Sequence, residues 1–380
     1  MFSRSDEPEH RKLFRESVID FTEREATLES TRSVLAMSNA HSQQRWKAMA
    51  DLGWTSLLVP EDLGGLGMDC EDLAALYQEV GRGALPEPLI TIPLLVAQAL
   101  VHGGNSKHKE TVMPELLSGD RMATLAWQGT PGALGADGVG PLAQQNGTGW
   151  TLSGQADFVQ HAAMADSYIV AAKASDGVLL AWVDAAPSII GTALQVDGTS
   201  NATVDLDGLS VQASDVIASP SEGPAILEHV LDIARLGIVA QLQGLMEQAF
   251  QLTLDYIKQR EQFGKPIASF QTIQHRVVDL YTQIEMANSA LGRAARACCD
   301  PSNDTERSQQ ISAAKCRAGS AAQAVVKECI QFHGAIGYTD EYDLSLFVNR
   351  VLVLSTQLGN PRVHRERWFK LRASAMEANA

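Results

Sequence analysis

The pattern of hydrophobic and polar positions divides the chain into three regions. From residue 9 to about residue 120, apolar residues recur at helical spacing, as in RKLFRESVIDFTE and CEDLAALYQEVGR. From about 121 to 220 the pattern changes to short β-branched and alternating runs, such as SYIVAAK and VLLAWVD, which predict strands. Helical spacing returns after Pro220. We therefore predict an α+β fold with an N-terminal helical domain (1–120), a middle antiparallel β-domain (121–222) and a C-terminal helical bundle (223–380).

The first helix of the third region is apolar around nearly its whole circumference as far as Leu254. A helix of this kind should lie inside a bundle or at a subunit interface, because it has no polar face to turn towards water. Two or three further helices are predicted after it, at 273–297, 308–333 and 344–354.

Composition and charge exclude several classes of protein. The chain has 380 residues, 45% of them apolar, and a net charge of −15, so neither nucleic acid nor an anionic membrane is expected as its main partner. It has no apolar run of about 18 residues and no signal-like N-terminus, so no membrane span and a cytoplasmic location are expected. The five cysteines lack CxxC spacing, and His229, His275 and His364 are too scattered for a metal site, so no metal is predicted.

The stretch REQFGKPIASFQTIQH, at residues 260–275, separates two long predicted helices and is richer in chemistry than a simple turn requires. A guanidinium at Arg260 is a fork-shaped donor suited to a diphosphate, and Phe263 and Phe270 offer apolar faces to an adenine. Gln271 adds an amide. Taken singly, each could be a surface charge, a core residue or a solvated helix end.

Together these residues resemble the acyl-CoA dehydrogenase family. Its Arg-x-x-Phe-Gly turn and following Phe-Gln pair match Arg260 to Gln271, and its Gln-x-x-Gly-Gly-x-Gly-Tyr/Phe stretch matches QFHGAIGYT at 331–339. The segments LGWTSLLVPEDLGGLGMD and EVGRGALPEPL match as well, so the resemblance covers nearly the whole chain.

The resemblance implies FAD as cofactor, an acyl-CoA substrate, a tetrameric assembly and an electron-transfer flavoprotein or similar acceptor. In the family, these motifs reach across a subunit interface to the adenosine and diphosphate half of a flavin held mainly by a neighbouring chain. The cofactor-binding residues expected on this basis are Arg260, Gln262, Phe263, Ile267, Phe270, Gln271, Gln331, Phe332, Gly334 and Ala335, together with Phe158 and Gln160 from the β-domain.

The resemblance also implies a glutamate that takes the α proton of the acyl thioester. In most of the family this glutamate precedes a Gly-Thr pair, and the corresponding stretch STQLGNPRVHRER places Leu358 at its position. Some relatives carry the base one residue before an arginine of the long helix, where this chain has Ala234. Neither side chain can accept a proton, so the catalytic residue is unknown. Asp232 and Glu247 are expected to be solvated or paired helix charges.

The strands that line the flavin ring in the family are altered here. The family's Thr-Glu-Pro-Gly-Ala-Gly-Ser strand corresponds to LAWQGTPGALGADG, with Gln128 in place of the glutamate. The next flavin strand, usually Trp-Ile-Thr or Phe-Val-Ser/Thr, corresponds to Phe158, Val159 and Gln160. A long amide is a poor substitute for a threonine hydroxyl beside the flavin.

The elements that serve a neighbour's flavin are thus kept, and those that serve the chain's own flavin are altered. This division resembles that of some bacterial members of the family that act on steroid side chains. These form heterotetramers in which one subunit supplies the base. Our leading hypothesis is that this chain is the subunit without the base. Two alternatives remain open: a self-sufficient homotetrameric dehydrogenase with another base, and a flavin-dependent oxygenase or oxidase on the same fold.

Overall fold

The computed structural model describes residues 7–184, 187–300 and 302–378. The element order is helical, then β, then helical, so the predicted fold class is confirmed. The domain boundaries at 120 and 222 stay a prediction. The first helical part contains α1 (Glu9–Arg24), α2 (Leu28–Leu35), α3 (Gln43–Asp51), α4 (Cys70–Arg82), α5 (Gln98–His102) and α6 (Met113–Leu117).

A π-helical stretch, Ile90–Ala97, precedes α5 and is buried along its whole length. It contains Pro93, which lacks the backbone donor of a regular α-helical turn. Its apolar side chains pack beside the first strand of the β-domain.

The middle region forms two sheets. Its strands are β1 (Ala123–Ala126), β2 (Leu142–Asn146), β3 (Gly149–Ser153), β4 (Gln155–Gln160), β5 (Ser167–Ala174), β6 (Gly177–Val183), β7 (Ser188–Leu194), β8 (Ser200–Asp205), β9 (Ser210–Val211) and β10 (Val216–Ala218). The larger sheet has the order β10-β6-β5-β2-β3-β9, with β1 paired to β5, and the smaller one has the order β4-β8-β7. Tyr168, Val170, Leu179 and Val204 are among the side chains of the apolar core that both sheets share.

Most strand pairs are antiparallel, as predicted, but β5 pairs in parallel with both β1 and β2. Ala123 lies opposite Ser167 in the first of these pairs. The prediction of antiparallel strands throughout is therefore wrong for these two pairs. About forty residues separate Ala123 from Ser167, which is long enough for the crossover that parallel pairing requires.

The C-terminal region begins with α7 (Gly223–Gln259), a helix of 37 residues that is buried along most of its length, as predicted from its apolar circumference. A hairpin of β11 (Glu261–Gln262) and β12 (Lys265–Pro266) follows. Four helices come next, whereas the sequence predicted two or three: α8 (Gln271–Cys298), α9 (Asp304–His333), α10 (Leu344–Thr356) and α11 (Pro361–Ala378). The start of α9 lies four residues before the predicted one, at a cap made by the Asn303 side chain, which accepts from the Glu306 amide.

The chain separates into two compact units. The first comprises the residues up to Ser33, Cys70–Leu85 and Leu236–Ala380, and the second comprises Val34–Asp69 and Pro86–Arg235. Within the first unit, α4 and α7 cross at two glycines. A Cβ on Gly81 would lie 2.1 Å from the Gln241 carbonyl oxygen, and one on Gly244 would lie 1.8 Å from that of Gln78. Only glycine permits this close approach.

No helix within the described residues is both long enough and apolar enough to cross a membrane.

Candidate cofactor site

The hairpin between α7 and α8 presents an aromatic side chain to solvent. Gln262 pairs with Lys265, which leaves Phe263 and Gly264 as a two-residue turn with φ angles of 56° and 80°. Positive φ at both positions is the signature of a type I′ turn, in which asparagine, aspartate or glycine is usual. Phe263 is 92% exposed, so packing within this chain does not explain its strained backbone. Strain of this kind is common at ligand sites.

Phe270 stands beside this turn. The rings of Phe263 and Phe270 meet edge to face with centroids 6.2 Å apart, and the Lys265 ammonium lies 4.4 Å from the Phe270 centroid. The Ile267 amide donates to the Arg260 carbonyl oxygen over 2.8 Å, which closes the connection. Phe270 also occupies the N-cap of α8, where its side chain has no acceptor for the amides of the first turn. The positive end of the helix dipole therefore lies at Gln271 without a side-chain cap.

The end of α9 reaches the same surface. The Arg276 guanidinium, one turn into α8, stacks over the Phe332 ring at 4.8 Å and pairs with the Glu328 carboxylate. Gln331 and Ala335 are exposed, whereas Phe332 is buried. Gly334 ends the helix with a φ of 66° and has open space around the position of a Cβ. The backbone at Gly334 is therefore open to close approach by a ligand.

A buried histidine fixes this helix end from below. The His333 ring stacks on Tyr256 with centroids 4.3 Å apart, and the Tyr256 hydroxyl donates to the His333 carbonyl oxygen. Nδ1 of His333 lies 2.8 Å from the Cys329 carbonyl, and Nε2 lies 3.1 Å from the Tyr342 hydroxyl. Nδ1 must be the protonated nitrogen, because a carbonyl can only accept. Burial lowers the pKa of His333 and keeps the ring neutral.

Ten of the twelve predicted cofactor-binding residues lie in two segments, 260–271 and 331–335, and contacts between the helices beside them join the two segments. Tyr256 joins the end of α7 to the end of α9, and Arg276 joins the start of α8 to the same helix end. The surface formed in this way offers the Arg260 guanidinium, three exposed amides, the rings of Phe263 and Phe270 and an open glycine. These groups match the diphosphate, the polar edges and the adenine of a dinucleotide. The donor set fits the adenine and diphosphate half of FAD.

The other two predicted residues, Phe158 and Gln160, belong to the second compact unit and are described by themselves. Both lie on β4, where Phe158 has a φ of 57° and is 51% exposed. The Gln160 amide oxygen accepts from the Thr91 hydroxyl at 3.3 Å, and its backbone carbonyl accepts from Thr124 at 2.6 Å. The side chain that replaces the family's threonine is thus engaged within its own unit.

The loop that carries the catalytic glutamate in most of the family is held rigidly here. Leu358 has a φ of 51°, and its carbonyl oxygen lies 2.9 Å from Nε2 of His364. The buried Lys315 ammonium donates to the carbonyl oxygens of Leu354, Ser355 and Gly359 at 2.9–3.1 Å. The position that the resemblance predicts for the base is therefore ordered but carries the hydrocarbon side chain of Leu358.

The alternative position that the resemblance predicts for the base also carries an inert side chain. Ala234 is fully buried on α7, and Asp232 forms a 2.8 Å ion pair with Arg235 in which neither side chain is exposed. Asp232 is thus a paired helix charge, one of the two states expected for it. Its carboxylate is engaged by the Arg235 guanidinium.

Glu247 is also paired rather than solvated. Its carboxylate accepts from the Gln78 amide at 2.6 Å, the Gln243 amide at 2.9 Å and the Arg82 guanidinium at 3.1 Å. The side chain is fully buried, and Arg82 is the cationic partner among these three donors. Glu247 therefore joins α4 to α7.

Sequence reasoning missed Tyr256, His333 and Lys315. Tyr256 and His333 lie next to residues that were identified, so a search along one helical turn from Arg260 and within the 331–339 stretch would have found them. Lys315 gave no signal, because a lysine on a helix is normally exposed and only the structure shows its three carbonyl acceptors.

Comparison with known proteins identifies the family. Residues 8–120 match the N-terminal domain of acyl-CoA dehydrogenases, and residues 221–370 match the C-terminal domain. The chain belongs to the acyl-CoA dehydrogenase family. Members of this family are FAD-dependent oxidoreductases.

Three relatives illustrate this membership. The acyl-CoA dehydrogenase IpdE2 of Mycobacterium tuberculosis is 28% identical over 93% of this chain and 95% of its own. A solved structure described as a variant of the Tcur3481-Tcur3483 steroid ACAD is 27% identical, covers 97% of this chain and 99% of that one, and has a TM-score of 0.87. A glutaryl-CoA dehydrogenase from Mycobacterium smegmatis, solved in complex with FADH2, has a TM-score of 0.85 at 20% identity, covers 97% of this chain and 96% of that one, and shows the shared fold.

Proposed function

We propose that this acyl-CoA dehydrogenase family chain is the subunit without the catalytic glutamate in a hetero-oligomeric enzyme that dehydrogenates an acyl-CoA at its α and β carbons. The observation that carries the proposal is a contrast within the first compact unit. The surface at Arg260, Phe263 and Gln331 has a complete set of groups for half of a dinucleotide. The base loop keeps an ordered backbone but has Leu358 in place of an acid.

FAD would be held by two kinds of contact on this chain. The Arg260 guanidinium and the uncapped start of α8 favour the diphosphate, since both place positive charge at its oxygens. Phe263 and Phe270 would stack on or beside the adenine, while Gln262, Gln271 and Gln331 would bond its polar edges. Ile267, Phe332, Gly334 and Ala335 shape the surface beneath. When bound, FAD supplies the acceptor for the substrate's hydride.

The flavin-ring side supports an asymmetric arrangement. Phe158 and Gln160 remain candidates for that side, but the Gln160 amide is already bonded to Thr91. A partner chain that supplies its own glutamate and its own threonine-like hydroxyl would not depend on either residue. The partner we propose is therefore a base-bearing homologue of this chain.

Relatives point to a substrate class. One similar structure is described as a steroid ACAD with a two-part name, and its 27% identity spans nearly the whole of both chains. On this basis we propose an acyl-CoA with a steroid side chain or a comparable lipid as the substrate, and an electron-transfer flavoprotein or similar carrier as the electron acceptor.

The test compares the chain purified alone with the chain co-expressed with a base-bearing homologue from its genomic neighbourhood. Flavin is measured by absorbance, assembly by light scattering, and activity with a panel of acyl-CoA thioesters and an artificial acceptor. We expect little flavin and no turnover for the lone chain, and a yellow, active hetero-oligomer for the pair.

A lone chain that holds one flavin and oxidises an acyl-CoA would overturn the proposal in favour of a self-sufficient homotetramer. Oxygen-dependent oxidation of flavin without acyl-CoA turnover would point to the oxygenase alternative. Removing the partner's glutamate provides the matched control, because the proposal requires it to abolish activity while flavin and assembly remain.

A further inference from the structure

A cavity of about 290 Å³ lies between α9 and α11 within the first compact unit. Ser312, Cys316 and Ser320 line it from one face of α9, since positions four apart share a face of a helix. Trp368 lines it from α11, and the exposed Ser320 and Arg365 leave it open to solvent. The walls are mainly apolar, and the volume is at the lower end of the range for small-molecule pockets, about 300–1,000 Å³.

Two arginines, Arg317 and Arg365, also line this cavity. One terminal nitrogen of Arg317 donates to the Gln283 amide oxygen at 2.7 Å, while Nε of Arg317 is buried without a hydrogen-bond partner. Among the described residues, neither arginine forms an ion pair with a carboxylate. A buried guanidinium nitrogen without an acceptor is costly, because it has lost its water and gained nothing in exchange.

Some other arginines of the same unit form ion pairs with carboxylates. Arg276 pairs with Glu328, and Arg362 pairs with Glu366 on α11 itself. The chain as a whole carries a net charge of −15, so carboxylates are plentiful, yet within the described residues none forms an ion pair with the half-buried Arg317 or the exposed Arg365. Two cations beside an apolar space favour an anion with an apolar body.

We propose that the cavity between α9 and α11 is a binding site for a small carboxylate with a hydrocarbon body, such as a fatty acid of medium length. The carboxylate would bridge Arg317 and Arg365, and the hydrocarbon would lie against Trp368 and the α9 face. The site is separate from the proposed cofactor surface, because Ser320 and Gln331 are eleven residues apart on α9, about 16 Å along the helix. It does not depend on the proposed function.

The test uses octanoate as the probe, titrated into the full-length chain by calorimetry and by tryptophan fluorescence, with Trp368→Phe to assign the optical signal. Octanol and octylamine carry the same hydrocarbon without the negative charge. We expect octanoate to bind with a dissociation constant of about 1 mM or lower and the two analogues to bind at least about tenfold more weakly.

Variants separate a specific site from general attraction to positive charge. Arg317→Gln and Arg365→Gln should each weaken octanoate binding about five- to tenfold, since each removes a charge-assisted hydrogen bond. Arg362→Gln, on the same helix but outside the cavity, should leave binding unchanged. Cys316→Leu should reduce binding by filling the cavity, and circular dichroism would check that each variant folds.

Equal binding of octanol and octanoate would overturn the proposal, because it would show that the guanidiniums play no part. Unchanged octanoate binding by the double variant Arg317→Gln/Arg365→Gln would do the same. An equal loss of octanoate binding in Arg362→Gln would also overturn it, because the binding would then depend on the overall positive charge of α11 and not on the cavity.

Discussion

The Lys315 ammonium donates to the Gly359 carbonyl oxygen over 2.9 Å from a fully buried position on α9. The same nitrogen reaches the carbonyls of Leu354 and Ser355, so one cation ends α10 and fixes the loop that follows it. This placement also suits the negative end of the α10 dipole.

Replacing Lys315 by methionine should therefore destabilise the chain, because three buried carbonyl groups lose their donor. We expect a loss of about 3 kcal/mol, or a fall of about 5 °C in the thermal midpoint measured by calorimetry. Lys370→Met, at an exposed position on α11, should stay within about 0.5 kcal/mol of the unaltered chain. Equal midpoints for both variants would contradict the anchoring role.

Gly244→Ala should destabilise the crossing of α4 and α7. Its new methyl group would lie 1.8 Å from the Gln78 carbonyl oxygen, and backbone cannot move aside as a flexible side chain can. We expect a cost of about 3 kcal/mol. Gly292→Ala on α8 is the matched control, since its Cβ would have no neighbour nearer than 3.5 Å. That variant should gain about 0.5–1 kcal/mol from helix propensity, and thermal melts of both would show opposite shifts.

Cysteine reactivity should follow burial. Burial raises the pKa of the Cys329 thiol to about 12, so only about one molecule in a thousand carries the reactive thiolate at pH 9. Cys299 is exposed. Iodoacetamide at pH 8–9 followed by peptide mass spectrometry should label Cys299 and spare Cys329. Because the unfolded thiol ionises near 9 and the buried one near 12, Cys329 stabilises the fold below pH 9 and loses this contribution between the two values.

Acid should weaken the second compact unit through His108. Its ring is fully buried with both nitrogens unpartnered, and burial first, then Lys107, lowers its pKa below the usual 6.5. In acid the unfolded state therefore binds a proton that the folded state resists, so stability falls as pH drops below about 6.5. In His108→Leu, the fall in thermal midpoint from pH 7 to pH 5 should be smaller than in the unaltered chain. His275→Leu, at an exposed histidine, should keep all of it.

Arg260→Gln should weaken retention of FAD by the hetero-oligomer without loosening the fold. The guanidinium is exposed and its proposed role is a charge-assisted bond to the diphosphate, so we expect a loss of about ten- to hundredfold in FAD affinity. Lys258→Gln lies on the exposed end of the same helix and removes one charge. Flavin fluorescence after dialysis would measure the FAD that each variant complex retains. An equal loss of FAD from both would show that the net charge, and not a contact of Arg260, is responsible.

Local patterns in the sequence predicted much of this molecule. The spacing of apolar residues located α7 and α8, and the order of arginine, phenylalanine and glycine located the turn at Phe263. Each of these signals depends on neighbours along the chain. The parallel pairing of β1 with β5 was not predicted from the sequence, because it depends on contacts between segments about forty residues apart.

The paired states of Asp232 and Glu247 were equally hard to predict. The sequence predicted that both carboxylates lie on helices, but it did not distinguish a solvated carboxylate from a paired one. The choice depends on Arg235 for one and on Gln78, Arg82 and Gln243 for the other. Apart from Arg235, which is three residues away, and Gln243, which is one turn away, these partners come from another helix.

The type I′ turn at Phe263 and Gly264 affects how tightly a second molecule can bind to this surface. A loop that is mobile before binding must give up conformational entropy on contact, at about 1–2 kcal/mol for each residue fixed. A two-residue turn closed by β11 and β12 has already lost that freedom during folding. The backbone that carries the Phe263 ring is thus preorganised, and a partner that covers the ring gains the buried area without having to order this turn.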